Sequence, residues 1–148
     1  MPNIVQLAYI STQVSLLSPS AIQEILTKSI ANNASIGVTG MLIYYNGTFL
    51  QVLEGYSKTV DELYSVIKRD KRHQNVITLY KNNIESANFS AWSMGFVDVE
   101  EIMKKGDKDF VKYFENTLTS ESNSSELIAK VKTLIEKFQK GTWRNYIK

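Results

Sequence analysis

The sequence predicts an α+β fold, a mostly antiparallel sheet of about five strands with two helices on one face, followed by two further helices. Three observations predict it. Short β-branched runs alternate with stretches of helical apolar spacing over roughly the first hundred residues. An Asn46-Gly47 pair sits between two strand-like runs, the strongest short hairpin signal. Beyond about residue 100 only helical spacing remains.

The elements follow in order. Ile4 to Ile10 reads as a strand with Val5, Leu7 and Tyr9 on one face and Ile4, Gln6, Ala8 and Ile10 on the other. Ser18-Pro19 reads as an N-cap followed by proline at the first helical position. Ile22, Ile25, Leu26, Ser29 and Ile30 then carry a helix to about Asn32, where Asn32, Asn33, Ser35 and Gly37 are expected to end it. Val38–Tyr45 and Thr48–Glu54 form the hairpin, and its two-residue loop places Tyr45 opposite Thr48, Tyr44 opposite Phe49 and Leu42 opposite Gln51. Val60, Leu63, Tyr64 and Ile67 mark a second helix, with Thr59 and Glu62 spaced as a capping box. Asp70 to His73 is a charged loop, Val76 to Lys81 a fourth strand and Gly95 to Val99 a short fifth. Strand, helix, strand, strand, helix, strand, strand is the ferredoxin-like arrangement. Phe110, Val111, Phe114 and Leu118 suit one C-terminal helix, Ser120 to Ser125 is a polar break, and Leu127, Ile128, Val131, Leu134, Ile135 and Phe138 suit another. The expected division is a domain over residues 1–99 and a helical extension over 100–148. Ile4, Ala8, Leu50 and Val52 make one sheet face too apolar to leave bare, and the extension is expected to cover it and to contribute to self-association.

Composition excludes several classes. The chain has 17 basic and 15 acidic residues, so bulk nucleic-acid binding is not expected. Cysteine is absent, which rules out a disulfide framework and a cysteine-linked photocycle. The first residues lack a basic segment before a long apolar run, and nothing approaches the roughly 18 apolar residues of a membrane span, so the expected location is cytoplasmic and no membrane partner is expected. There is no Gly-x-Gly-x-x-Gly, P-loop or nucleophile elbow, and the single histidine, His73, cannot build a histidine metal site. No metal ligands are assigned.

The informative residues are polar ones at core positions. Gln51 shares a strand face with Phe49 and Leu53, and a buried amide without partners costs about 1–3 kcal/mol. On pattern alone the simplest reading of Gln51 is a structural glutamine bonded to backbone or water. Tyr9 reads as core packing with its hydroxyl satisfied, Asn32-Asn33 as a helix stop, the Lys68–His73 run as a solvated helix end, and Trp92 and Met94 as packing.

Together these residues form a pattern: Tyr9, Asn32-Asn33, Gly37-Val38-Thr39-Gly40, Gln51-Val52-Leu53-Glu54-Gly55, Asp70-x-Arg72-His73 and Trp92-x-Met94. It resembles the BLUF family of blue-light sensors using flavin, over roughly residues 3–99. The resemblance implies a non-covalently held flavin, FAD foremost with FMN or riboflavin as alternatives, lying between the two helices on one sheet face. It implies that Tyr9 and Gln51 are the photochemical pair. It implies that Asn33 holds the C4 carbonyl side of the ring and Asn32 the opposite carbonyl region, while Ile25 packs on the dimethylbenzene edge. Asp70 joins the cofactor-binding set, with Arg72 and His73 toward the ribityl phosphate end, and Trp92 and Met94 form the segment that reports ring state. Some members carry an additional basic residue on the second helix, where this chain has Val66.

The function this implies is a blue-light photoreceptor rather than an enzyme, since residues 100–148 are too few for a cyclase or phosphodiesterase. Short members of the family signal through oligomers and separate partner proteins, and the same is expected here. The competing readings are a small enzyme on the same scaffold, such as an acylphosphatase-like or monooxygenase-like protein, and a flavin-binding interaction module without photochemistry. Retention of both Tyr9 and Gln51 argues against the module.

Overall fold

A computed structural model describes residues 3–15, 17–118 and 124–148. Its elements are β1 (Ile4–Gln13), α1 (Pro19–Ile36), β2 (Thr39–Tyr45), β3 (Thr48–Tyr56), α2 (Ser57–Lys68), β4 (His73–Ile84), β5 (Gly95–Asp98), α3 (Val99–Lys104), α4 (Lys108–Leu118), α5 (Ser124–Lys140) and a closing 3-10 helix (Thr142–Tyr146). The strands form one five-stranded sheet in the order β4-β1-β3-β2-β5, the ferredoxin-like order with a fifth strand added beside β2. β1 pairs antiparallel with both β3 and β4, and β2 antiparallel with β3.

The chain divides into two compact units, Met1–Phe96 and Val97–Lys148. In the first, the hairpin register is the expected one: Tyr45 pairs Thr48, Tyr44 pairs Phe49 and Leu42 pairs Gln51. Its cause is the turn, where Asn46 (φ 49°) and Gly47 (φ 83°) both occupy the left-handed region that Asn-Gly tolerates. Gly40 has a different reason to be glycine. A Cβ there would stand 2.0 Å from the Val52 carbonyl oxygen, so β2 could not lie this close to β3 with any other residue. One sheet face, carrying Val5, Leu7, Tyr9, Leu42, Phe49 and Leu53, packs with Leu26 of α1 and Val60 and Tyr64 of α2. Burying each such aliphatic side chain contributes about 1.5–3 kcal/mol.

Several boundaries differ from the sequence reading. Helix α1 begins as expected, with Ser18 Oγ accepting from Ala21 N–H at 3.1 Å, but it runs a turn past Asn32. The stop is Gly37, whose N–H returns to the Asn33 carbonyl; both asparagines lie inside the helix. The Thr59–Glu62 capping box does not form, because β3 runs on through Gly55 to Tyr56 and α2 starts at Ser57 with no side-chain cap. β4 is longer than Val76–Lys81 and begins at His73, with register irregularities against β1 at Ala8/Tyr9 and Ile10/Thr12.

In the second unit, α4 and α5 contain the two expected helical runs, and the short helix α3 and the 3-10 helix are additions. Asp98 caps α3, its carboxylate accepting from Glu101 N–H at 3.2 Å. Phe110, Phe114, Val131, Leu134, Ile135 and Phe138 are buried. Phe110 stacks on Phe114 with ring centres 5.8 Å apart and meets Trp143 edge-on at 4.9 Å. Residues 120–123 of the expected polar break lie outside the described residues, and Ser124 and Ser125 already belong to α5. Among the described residues no helix is long and apolar enough to cross a membrane.

Candidate functional site

A cleft of about 220 Å³ opens between α1 and α2 over the sheet. Tyr9, Ile25, Asn32, Asn33, Gln51, Asp70, Arg72 and His73, scattered through the sequence, all line it. Helical spacing brings them there: Ile25, Ser29, Asn32 and Asn33 fall on one face of α1, and Leu63 and Ile67 on the facing side of α2. β1 and β3 supply the floor, with Tyr9 directly opposite Gln51.

The inner end is polar and buried. The Tyr9 hydroxyl donates to Gln51 Oε1, and Gln51 Nε2 donates to Met94 Sδ at 3.4 Å. Tyr9, Asn33, Gln51 and Met94 are all buried. Burial pushes the Tyr9 phenol far above the usual tyrosine range, and the neighbouring Tyr64 and Asp70 add to the shift, so Tyr9 holds its proton throughout the physiological range. Tyr64 stacks at a tilt 5.1 Å from the Tyr9 ring and bonds Thr78 Oγ1 at 2.7 Å. Asn33 Nδ2 donates to the Ser93 carbonyl at 2.9 Å. Two polar groups of the cleft therefore reach adjacent residues, Asn33 to Ser93 and Gln51 to Met94. Trp92 is half-buried and does not line the cleft; its carbonyl accepts from Gly40 N–H at 3.1 Å.

The mouth is charged. Arg72 forks onto Asp70, with Nε 3.0 Å from Oδ1 and the terminal nitrogen 2.5 Å from Oδ2. The Arg72 hydrogen bond holds the Asp70 carboxyl down at about 2, against the opposing effect of its partial burial. His73 turns inward: Nδ1 lies 2.9 Å from Ser11 Oγ and Nε2 2.6 Å from the Ile67 carbonyl, so both ring nitrogens are engaged by protein. The sequence reading missed Lys28, Leu42, Leu63 and Ile67 as lining residues, although Lys28 stands one turn from Ile25 and Ile67 one turn from Leu63. Val66, 60% exposed, stands at the rim of α2.

The Asp70–Arg72 pair yields a pH expectation. The folded value of Asp70 lies below its unfolded value of 3.8, so the pair's contribution is fully present above pH 3.8 and is lost as pH falls toward 2. Both side chains are partly exposed, which keeps the contribution at about 1 kcal/mol or less. A carboxyl-carbon NMR titration of Asp70 is expected to show a midpoint near 2, and Arg72→Ala is expected to return it toward 3.8. A normal midpoint in the unaltered protein would mean that the pair does not persist in solution.

This cleft suits a flat heteroaromatic ring with a phosphate-bearing tail. Its sides are apolar at Ile25, Leu63 and Ile67. Its inner end offers carboxamides that both donate and accept, and its mouth carries the cations Lys28 and Arg72. Asn33 Oδ1 is left without a described partner, an acceptor available to a ring N–H. A family model described as "BLUF: Sensors of blue-light using FAD" matches residues 4–95. The chain belongs to the BLUF family.

BLUF domains are flavin-binding sensors of blue light, and the relatives of this chain fit that description. It is 33% identical over 93 residues to the photoactivated adenylate cyclase subunit beta of Euglena longa, a match covering 62% of this chain and 11% of that protein. The chain thus spans about a tenth of the length of that curated relative. Among solved structures, "BlrB - a BLUF protein, dark state structure" is similar with a TM-score of 0.70 and 29% identity, covering 90% of this chain and 98% of that one. "BlsA ground state" is similar with a TM-score of 0.73 and 26% identity, covering 98% and 95%.

Asn33→Ala is expected to weaken flavin retention by about fivefold, the factor carried by one hydrogen bond of about 1 kcal/mol. Fluorimetric titration of the flavin-depleted protein with flavin measures it. Unchanged affinity would leave Asn33 only its bond to Ser93.

Proposed function

We propose that this BLUF domain switches by a light-driven transfer from Tyr9 that leaves the Gln51 amide rearranged. The observation carrying the proposal is one hydrogen-bonded line, from the Tyr9 hydroxyl to Gln51 Oε1 and from Gln51 Nε2 to Met94 Sδ. A flavin held there would supply the blue-light absorption and an excited-state electron acceptor. Tyr9 gives up that electron together with its phenolic proton, because a phenol this deeply buried would be costly to leave charged. Gln51 would relay the proton toward the ring that holds the electron, and electron and proton would then return to Tyr9, so no net oxidation remains. What persists is a Gln51 amide whose donor and acceptor ends have changed partners, and with them the contact to Met94.

Asn32 and Asn33 would hold the carbonyl edge of the ring, Ile25, Leu63 and Ile67 its apolar edge, and Arg72 and Lys28 the phosphate-bearing tail, with His73, tied to Ser11 and Ile67, closing that end of the cleft. FAD is the flavin we assign, following the description of the family, and Lys28 and Arg72 at the mouth would meet its phosphates. Trp92 and Met94 carry the change outward, and the C-terminal helices pass it to a separate signalling protein in the cytoplasm, with the photoreceptor self-associated. The test is to purify the protein in the dark, identify any bound flavin chromatographically and count it per chain. About one FAD per chain is expected. A colourless, folded protein that takes up no added flavin would contradict the proposal.

A further inference from the structure

The face of β3 opposite the cleft carries a second polar construction. Glu54 stands three residues from Gln51 on the same strand, so the two side chains point to opposite faces. Glu54 is fully buried, and its carboxylate accepts four hydrogen bonds. Oε1 takes the backbone N–H groups of Asn88 and Phe89, both at 2.8 Å. Oε2 takes Gln6 Nε2 at 2.8 Å and Asn88 Nδ2 at 3.0 Å. The Tyr80 hydroxyl donates to Gln6 Oε1 at 2.5 Å, which fixes the Gln6 amide with its donor toward Glu54. Four donors around two oxygens is a set that only a carboxylate can accept in full.

From that anchor the chain is tied down stepwise toward the cleft. Phe89, itself fully buried, accepts from Trp92 N–H at 3.0 Å, and the Trp92 carbonyl accepts from Gly40 N–H at 3.1 Å. The next two residues are Ser93 and Met94, which Asn33 and Gln51 contact from the cleft side. We propose that Glu54 is a positioning residue for the switch, clamping the start of the segment 88–94 so that Met94 is presented to Gln51 in one geometry. The proposal rests on the reading of Gln51 as the group that rearranges. With residues 88–92 held, a change at Gln51 displaces Met94 against a fixed support, and that support favours return to the arrangement in which Met94 Sδ meets Gln51 Nε2. Loosening the clamp removes the restoring preference and slows the return.

The test is the thermal recovery rate in the dark after a blue-light pulse. Glu54→Gln leaves one acceptor oxygen and sets an amide donor among donors; Asn88→Ala removes one bond to the carboxylate from the loop side. Both are expected to form the light state and to recover more slowly than the unaltered protein, Glu54→Gln by about fivefold or more, the factor of roughly one hydrogen bond. Val60→Ala, a fully buried core truncation outside the clamp, is expected to lower the melting temperature yet leave recovery unchanged. Unchanged or faster recovery in Asn88→Ala, or recovery that merely tracks melting temperature across all three, would overturn the clamp while leaving the photoreceptor reading intact. If Glu54→Gln does not fold, Asn88→Ala carries the test. An unaltered protein with bound flavin and no light-induced shift would overturn the Gln51 reading and the clamp with it.

Discussion

Tyr9→Phe is expected to fold, to bind flavin and to show no reversible spectral shift under blue light. The substitution keeps the ring that packs beside Tyr64 and removes only the hydroxyl that donates to Gln51 Oε1. The structural loss is one hydrogen bond, about 1 kcal/mol, and Gln51 can turn its carbonyl toward the polar end of the cleft. The functional loss is complete, because phenylalanine has no phenolic proton to send with an electron. If Tyr9 were core packing alone, the variant would lose a little stability and keep its photocycle. Difference absorption under blue illumination separates the two, and a normal reversible shift would remove Tyr9 from the mechanism.

Gln51→Leu is expected to abolish the same shift by a different route and to cost more stability. Leucine is similar in size, but it withdraws the acceptor of the Tyr9 hydroxyl and the donor to Met94 Sδ together. A buried phenol left unpaired costs about 1–3 kcal/mol, so thermal denaturation is expected at a lower temperature than in Tyr9→Phe. Tyr9 still has its proton, but nothing relays it and no amide remains to hold a new arrangement. A persistent photocycle in Gln51→Leu would show that Tyr9 communicates with the flavin directly.

What was legible in the sequence was what local chemistry decides. Asn46-Gly47 fixed the hairpin register to the residue, because this pair favours a two-residue turn with both φ angles positive and the alternation of side chains follows from it. Ser18-Pro19 marked the start of α1 because a serine hydroxyl satisfies a free N–H of the first turn and proline needs none. Competing local signals misled: Asn32-Asn33 resembles a helix stop, yet Gly37 supplies the left-handed residue that closes the Asn33 carbonyl. Thr59 and Glu62 have the spacing of a capping box, yet the helix was already under way at Ser57. The cleft residues were legible as a set of motifs, while their juxtaposition depends on the strand order β4-β1-β3-β2, which no local pattern encodes. Glu54 shows the limit most clearly. Its parity on β3 is readable, but its partners Asn88 and Phe89 lie in an irregular segment between β4 and β5, and nothing periodic points from there back to β3. The inward turn of His73 toward Ser11 is likewise a contact across a long stretch of sequence.

Light is expected to rearrange the Tyr9–Gln51 hydrogen bonds without leaving the protein oxidised or reduced. The most direct measurement is the light-minus-dark absorption spectrum of the purified protein in the absence of added reductant. The expected result is displacement of the intact oxidised-flavin band to longer wavelength, with full thermal return in the dark. Bleaching of that band, or no change under blue light in a protein that holds its flavin, would rule out a switch of this kind.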